Sequence, residues 1–261
     1  MKGRYAIYFT PDPRGALWRA GSSWLGRDAV TGAAVEPNLP PALGRPQWRE
    51  LTEAPRRSGF HATLKPPFRL AHGFEPVDLV SACEDFARSR AAFFAPPLRV
   101  ADVDGFIALT LHEPSAAIDA LARDCVSVFD RFRAPPSAAE TTRRQAATLT
   151  RRQGALLLRW GYPYVMEEFR FHLTLTERMN QPGRAALLNS LAATFDRLTR
   201  APVRVDGIAL FFQPSARAPF AALRRFPFGS HDDRAKRRSE RRVVSVLSQF
   251  DKKDLAKLSS R

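Results

Sequence analysis

The sequence predicts an α+β fold with two lobes, in which two pseudo-symmetric units of sheet plus helices form a concave central cleft. The first observation is a repeated motif, since Phe-His-Ala-Thr-Leu at residues 60–64 returns as Phe-His-Leu-Thr-Leu at residues 171–175. The second is that each copy is succeeded by a helical stretch and then by a β-prone pair of runs, beginning at Arg99 and at Arg204. A motif that recurs with its surroundings indicates two related halves, each ordered strand, helix, strand, strand.

The first 58 residues predict a strand and a long connection. Residues 4–10 are aromatic and β-prone, and Pro11 ends that strand. Residues 11–58 are rich in Pro and Gly, and a helix is expected around residues 14–25. We expect the remainder to be an ordered loop that forms one wall of the cleft and is packed by dispersed tryptophans, namely Trp18, Trp24 and Trp48.

The middle of the chain alternates helical and β-prone segments. Residues 75–94 place apolar side chains on one face of a helix, and strands are predicted at residues 98–103 and 106–111. Ser115 is suited to cap the next helix, and a further helical stretch is predicted over residues 137–160. These elements complete the first half and lead into the second motif.

After the second motif, the order of elements is similar. Residues 181–183 are expected to turn into a helix, in which apolar residues recur at helical spacing from Leu187 to Leu198. Strands are expected at residues 203–206 and 207–213, and a last one at residues 220–228. We therefore predict one two-lobed domain over residues 1–229.

The composition is that of a basic globular protein. The net charge is +15, with 41 Lys and Arg against 26 Asp and Glu. Residues 230–261 are predicted to form a flexible or accessory tail and hold ten basic and five acidic side chains. The remaining net charge on residues 1–229 is therefore +10. Such a body attracts phosphate-bearing partners, from small phosphorylated compounds to RNA, although arginine is also simply a common surface residue.

Several classes of protein are disfavoured by the sequence. No run of 18 apolar residues predicts a membrane span, and the amino terminus lacks a signal-peptide core, so we expect a cytoplasmic protein. Cys83 and Cys125 lie in apolar helical patterns and are expected to be buried and reduced. No Cys and His cluster has metal-ligand spacing, so neither a metal site nor a cofactor is expected, and a monomer is favoured.

The two motifs supply the candidate active-site residues. Because side chains alternate along a strand, His61 and Thr63 share one face, and His172 and Thr174 share one face of the other strand. If the halves pack with these faces opposed, two imidazoles and two hydroxyls meet in one concave site. One histidine can then remove a proton while the other donates one, and the threonines hold phosphate oxygens. Either histidine alone can equally be a structural strand residue.

Four further residues are candidates for the same cleft. Lys65 lies two residues beyond Thr63, so alternation predicts that its ammonium faces the cleft and binds a phosphate; the alternative is a strand-end lysine reaching water. Tyr8, Arg170 and Gln213 are candidate cleft-lining residues. A packed strand tyrosine is the favoured explanation for Tyr8, and a strand-edge arginine explains Arg170 equally well.

Longer strings around the motifs resemble a known family. Arg-Tyr-Ala-Ile-Tyr-Phe-Thr-Pro at residues 4–11, Gly-Phe-His-Ala-Thr-Leu-Lys-Pro-Pro-Phe at residues 59–68 and Trp-Gly-Tyr-Pro-Tyr-Val at residues 160–165 resemble the two-histidine (2H) phosphoesterases. More narrowly, they resemble a bacterial branch associated with phosphonate breakdown. The resemblance covers about residues 1–229 and implies that His61 and His172 open a cyclic phosphodiester.

Residues and resemblance together lead to one expected function. We expect a metal-independent cyclic phosphodiesterase that opens a 2′,3′-cyclic nucleotide or a phosphoribosyl cyclic phosphate, the latter in phosphonate catabolism, by His/His acid–base catalysis. Which histidine is the acid remains open. Two other classes also remain open: an enzyme acting on RNA ends, as a 2′,5′-ligase, an esterase or an exonuclease, and a non-catalytic RNA- or nucleotide-binding module.

Overall fold

A computed structural model describes residues 3–41, 43–136, 149–180 and 183–229. The strands are β1 Arg4–Phe9, β2 Ala62–Arg69, β3 Phe93–Ala95, β4 Leu98–Val103, β5 Phe106–Leu111, β6 His172–Thr174, β7 Val203–Val205, β8 Gly207–Gln213 and β9 Ala221–Pro227. The α-helices are α1 Ala16–Leu25, α2 Arg45–Leu51, α3 Glu53–Ser58, α4 Pro76–Arg88, α5 Ala116–Val128, α6 Arg151–Trp160 and α7 Arg184–Thr199. Short 3-10 helices cover Asp130–Phe132 and Met166–Glu168.

Seven strands form one antiparallel sheet in the order β4-β5-β6-β2-β1-β8-β9, while β3 and β7 form a separate ribbon. The predicted α+β class is therefore confirmed. The hairpin of β4 and β5, from the first half of the chain, pairs with β6 from the second half. The motif strands β2 and β6 are consequently neighbours in one continuous sheet, and they do not face each other across two opposed lobes.

One face of this sheet is covered by helices. Helix α4 contacts β8 and β9, α5 contacts β2, and α7 contacts β4. Ile7, Leu109 and Leu173 lie in the resulting core and are fully buried. The side chains that alternate with them point to the opposite face, which carries the motif histidines.

The long connection after β1 contains more structure than the sequence predicted. Helices α2 and α3 occupy part of the stretch that was expected to be loop. Both are shorter than two helical turns, so neither shows a repeated apolar spacing that would identify it. The tryptophans are buried as expected, and Trp24 Nε1 donates to Leu175 O at 2.8 Å while Trp48 Nε1 donates to Trp24 O at 2.7 Å.

Other predicted elements differ mainly in length. The helix expected over residues 75–94 ends at Arg88, and Phe93–Ala95 forms β3 instead. Ser115 caps α5 by accepting from Ile118 N at 3.4 Å, as the sequence indicated. The second motif strand is short, since β6 contains three residues.

Some predictions concern parts of the chain that the structure does not describe. The opening of the helical stretch at residues 137–148 and the tail at residues 230–261 lie outside the described residues. Cys83 and Cys125 are buried as predicted, and burial raises the pKa of both thiols. Among the described helices, none is both long and apolar enough to cross a bilayer.

Candidate functional site

The two motifs meet through one cross-strand pair, Ala62 of β2 with Leu173 of β6. Because the strands are antiparallel, this register places His61 opposite Thr174 and Thr63 opposite His172. Directly opposed residues share a face of the sheet, so all four side chains lie on one face. The two histidines are diagonal neighbours across the strand pair, a relation that places residues about 7–8 Å apart. We call the sheet surface that carries these four side chains the histidine face.

His61 is held in one orientation by its own strand. Its Nδ1 lies 2.8 Å from Gly59 O, and its Nε2 lies 3.2 Å from Thr63 Oγ1. A carbonyl oxygen only accepts, so Nδ1 carries the proton and Nε2 is the acceptor of the neutral ring. Gly59 has a positive φ of 84°, a conformation suited to glycine, at the turn that presents this carbonyl.

Tyr8 covers the imidazole of His61. The two rings stack with centroids 3.7 Å apart and planes at 23°. Burial, with a smaller contribution from the nearby His172, lowers the pKa of His61 to about 4 against the raising effect of the hydrogen bond to Gly59 O. His61 is therefore neutral at pH 7, and burial also raises the pKa of the Tyr8 phenol. Tyr8 thus lines the site.

His172 has a similar backbone partner and a different neighbour. Its Nδ1 lies 2.8 Å from Arg170 O, so this ring also presents Nε2 as an acceptor when neutral. Burial lowers its pKa. Its cross-strand partner is Thr110 of β5, whose buried hydroxyl has no hydrogen-bond partner among the described residues. Thr110 was not among the candidates from the sequence, although alternation along β5 places it on the same face as Ala108 and Phe106.

Lys65 does not join the histidines, which corrects the expectation that it shares their face. Tyr8 pairs with Thr63 and the preceding Ile7 pairs with Lys65, so one step along β1 corresponds to two steps along β2. This bulge moves Lys65 to the helix-covered face. The side chain is 1% exposed, and its Nζ donates to Val126 O at 3.0 Å and to Asp130 Oδ1 at 3.1 Å.

The structure places the other two candidates differently from each other. Gln213 is the last residue of β8 and pairs with Arg4, the first residue of β1. Its side chain is 2% exposed, so it is buried within the sheet. The side chain of Arg170 is 74% exposed and its guanidinium lies 3.6 Å from Asp104. The backbone carbonyl of Arg170 accepts from His172 Nδ1 at 2.8 Å.

Comparison with known proteins assigns the chain to a family. Residues 63–221 match the family described as "Protein of unknown function (DUF1045)". The chain belongs to the DUF1045 family.

Two curated proteins resemble this DUF1045 chain over most of its length, and both are named "Ribose 1,5-bisphosphate phosphokinase PhnN". The protein from Janthinobacterium sp. (strain Marseille) is 36% identical over 236 residues, which is 89% of this chain and 52% of that protein. The protein from Laribacter hongkongensis (strain HLHK9) is 36% identical over 227 residues, which is 85% of this chain and 51% of that protein. The chain thus spans about half the length of the curated relatives it matches.

These names contradict the expected enzyme class. Both describe a phosphokinase, which transfers a phosphoryl group, whereas the sequence led us to expect a phosphoric diester hydrolase. The expectation of a cyclic phosphodiesterase, with its RNA-end and nucleotide-binding alternatives, is therefore wrong by this comparison. The physical reason is that imidazoles and hydroxyls on one face bind phosphate and sugar oxygens whichever bond is broken, so the motif alone does not select the reaction.

Proposed function

We propose that this chain binds a phosphorylated ribose on the histidine face and is the sugar-phosphate-binding part of a ribose 1,5-bisphosphate phosphokinase. The pairing of Ala62 with Leu173, which gathers both motifs on one sheet surface, is the observation that carries the proposal. The names of the two relatives supply the substrate class. The finer resemblance to the two-histidine family, and its link to phosphonate breakdown, stays part of this proposal.

The chemistry of the four side chains fits a sugar phosphate. The Thr174 hydroxyl can donate to a phosphate oxygen, and His172 Nε2 can accept from a ribose hydroxyl. The Thr63 hydroxyl donates to His61 Nε2 without ligand, so it must turn to donate to a phosphate oxygen, which then frees this Nε2 to accept from the ribose. Because His61 is neutral and its ring is held by Gly59 O, Nε2 becomes available to a ligand without ring reorientation once the Thr63 hydroxyl turns away. Hydrogen bonds at a partly buried site of this kind are stronger than those made in open water.

The donor side of a kinase reaction is not assigned to this chain. Phosphoryl transfer depends on positioning and on stabilising the phosphate charge, commonly with Mg²⁺ and a glycine-rich phosphate loop. No glycine in the sequence is followed by lysine, as the P-loop pattern requires. Within the described ranges, no group of three or more His, Cys, Asp or Glu side chains fits a metal ion. We therefore derive no step through a nucleotide or a metal.

Calorimetric titration of the full chain with ribose 1,5-bisphosphate tests the proposal. We expect saturable binding that His172→Ala weakens about ten-fold, because hydrogen bonds to a charged ligand are lost. His112→Ala, at an exposed histidine beyond the end of β5, is the matched control and should leave the affinity unchanged. Failure of the wild type to bind, or unchanged binding by His172→Ala, would overturn the proposal.

A second assay concerns the reaction itself. With Mg²⁺–ATP and ribose 1,5-bisphosphate present, phosphorus NMR reports any phosphorylated product. We expect this chain alone to give none, since its sequence has no P-loop pattern. Product that disappears in His172→Ala would move the whole phosphokinase activity onto this chain.

A further inference from the structure

A row of polar side chains crosses the histidine face from β2 to the edge of the sheet at β4. The register places Thr63 opposite His172, and His172 opposite Thr110. Thr110 in turn pairs with Arg99 of β4. Directly opposed residues share a face, so Thr110 and Arg99 extend the row that the motif side chains begin. Neighbouring strands lie about 4.8 Å apart, so the backbone of Arg99 is about 10 Å from that of His172.

The surroundings of β4 agree with this placement of Arg99. Asp102 forms an ion pair with Arg184 of α7 at 2.8 Å, so its side chain points to the helix-covered face. Leu98, four residues earlier in the alternation, is buried on that same side. Arg99 lies between these positions and is exposed, as expected for the opposite face.

The guanidinium of Arg99 is available to a ligand. Within the described ranges it makes no hydrogen bond, ion pair or ring contact. Glu113 and Asp196 line a groove that Arg99 also borders, but Asp196 is held by Arg200, and neither carboxylate pairs with Arg99. The charge and the N–H donors of Arg99 are therefore not taken up by the protein.

The hydroxyl of Thr110 also lacks a partner, although it is buried. Its Oγ1 makes no hydrogen bond among the described residues, while the residue as a whole is partly exposed. A buried hydroxyl without a partner is unfavourable, and such groups are uncommon in folded proteins. Rotation about the Cα–Cβ bond can bring this hydroxyl to the surface, where it can donate to a bound oxyanion.

We propose that Arg99 and Thr110 form a second anion subsite on the histidine face, which binds the other phosphate of a bisphosphorylated ribose. The planar guanidinium presents paired N–H donors that match a phosphate group, and the hydroxyl adds one more donor. This inference rests on the proposed function. It assigns to Arg99 the second-phosphate role that the buried and paired Lys65 cannot fill.

The test compares two ligands, ribose 1,5-bisphosphate and ribose 5-phosphate, by calorimetric titration of the full chain. We expect the wild type to prefer the bisphosphate. Arg99→Met should reduce that preference about ten-fold, because a charge-assisted contact is lost. Arg197→Met removes an exposed arginine of α7, on the opposite side of the sheet, and is the matched control that should keep the wild-type preference.

Thr110→Val is the second variant, since it removes the hydroxyl and nearly preserves the shape of the side chain. Because this hydroxyl has no partner in the unliganded protein, the unfolding temperature should stay the same or rise. The preference for the bisphosphate should nevertheless fall about five-fold. A hydroxyl with a purely structural role would do the reverse, lowering the unfolding temperature and leaving the ratio of the two affinities unchanged.

The outcomes separate the two proposals. If the wild type binds both ligands through His172 but Arg99→Met and Thr110→Val keep the wild-type ratio, the second subsite is overturned and the proposed function stands. If the wild type binds neither ligand, both are overturned. Loss of the bisphosphate preference in both folded variants, with Arg197→Met unchanged, supports the subsite.

Discussion

Tyr8 and His61 stack in near-parallel contact, with ring centroids 3.7 Å apart. The contact removes one face of the imidazole from water, and burial is the main reason that the pKa of His61 falls to about 4. A single aromatic neighbour on β1 thus helps to keep the first motif histidine neutral and available as a hydrogen-bond acceptor.

This contact predicts a pH dependence of stability. In the unfolded chain His61 binds a proton below its ordinary pKa of 6.5, whereas in the folded protein it does so only below about 4. Protonation therefore favours the unfolded state, and stability decreases as the pH falls through this window. Between pH 7 and pH 5 we expect His61 to contribute a loss of about 2 kcal/mol in the free energy of unfolding.

Urea unfolding at the two pH values measures this loss. His61→Gln should show a smaller difference between pH 7 and pH 5 than the wild type, while His112→Gln at an exposed position should show the wild-type difference. An NMR titration of the His61 ring with a midpoint near its ordinary pKa of 6.5 would contradict the assignment.

Replacing two helical glycines with alanine is expected to change the stability of the protein in opposite directions. A Cβ at Gly21 of α1 would overlap the ring of Phe60, the residue before His61, whereas a Cβ at Gly154 of α6 meets no described atom within 4 Å. Gly21→Ala should destabilise the protein by about 1–3 kcal/mol through overpacking. Gly154→Ala should stabilise it by up to about 1 kcal/mol through helix propensity. Chemical denaturation of both variants measures the difference, and a stabilising Gly21→Ala would show that α1 moves freely against Phe60.

Alternation along a strand predicted most of the local geometry of the site. It placed His61 with Thr63 and His172 with Thr174, because each motif spans only three strand residues without a bulge between them. The same rule failed for Lys65, since the bulge opposite Ile7 and Tyr8 lies just beyond Thr63. A bulge depends on pairing with another strand, so one sequence does not reveal its position.

Features that depend on pairing between strands far apart in the sequence could not be predicted either. The sequence indicated two related halves, but the neighbouring positions of β2 and β6 depend on which strands pair. Thr110 belongs to the histidine face because it pairs with His172 of β6, and Arg4 because it alternates with Tyr8, which pairs with Thr63 of β2. The reaction class was not predictable either, because the motif residues fit a phosphate group in more than one chemistry.

The ion pair between Lys65 and Asp130 predicts unequal effects of removing each partner. The ammonium is 1% exposed, and Asp130 also accepts from Arg133 Nε at 2.8 Å. Asp130→Asn leaves a buried cation without its counterion and should cost about 3–5 kcal/mol. Lys65→Met removes the buried charge and leaves Asp130 paired with Arg133, so it should cost less. Chemical denaturation compares the variants, and a greater cost for Lys65→Met would contradict this account.

The tryptophan pair behind β6 predicts a link between stability and ligand binding. Trp24 Nε1 donates to Leu175 O, directly after Thr174, while Trp48 Nε1 donates to Trp24 O. Trp24→Phe leaves a buried carbonyl without its donor and should lower the free energy of unfolding by about 1–3 kcal/mol. It should also weaken binding of ribose 1,5-bisphosphate, because the end of the second motif strand loses its support. Trp48→Phe also removes an indole N–H donor, but that donor binds Trp24 O and does not contact the residues next to β6. This variant should therefore lower stability and leave the affinity unchanged. Equal losses of affinity in both variants would show that Trp24 does not act through β6.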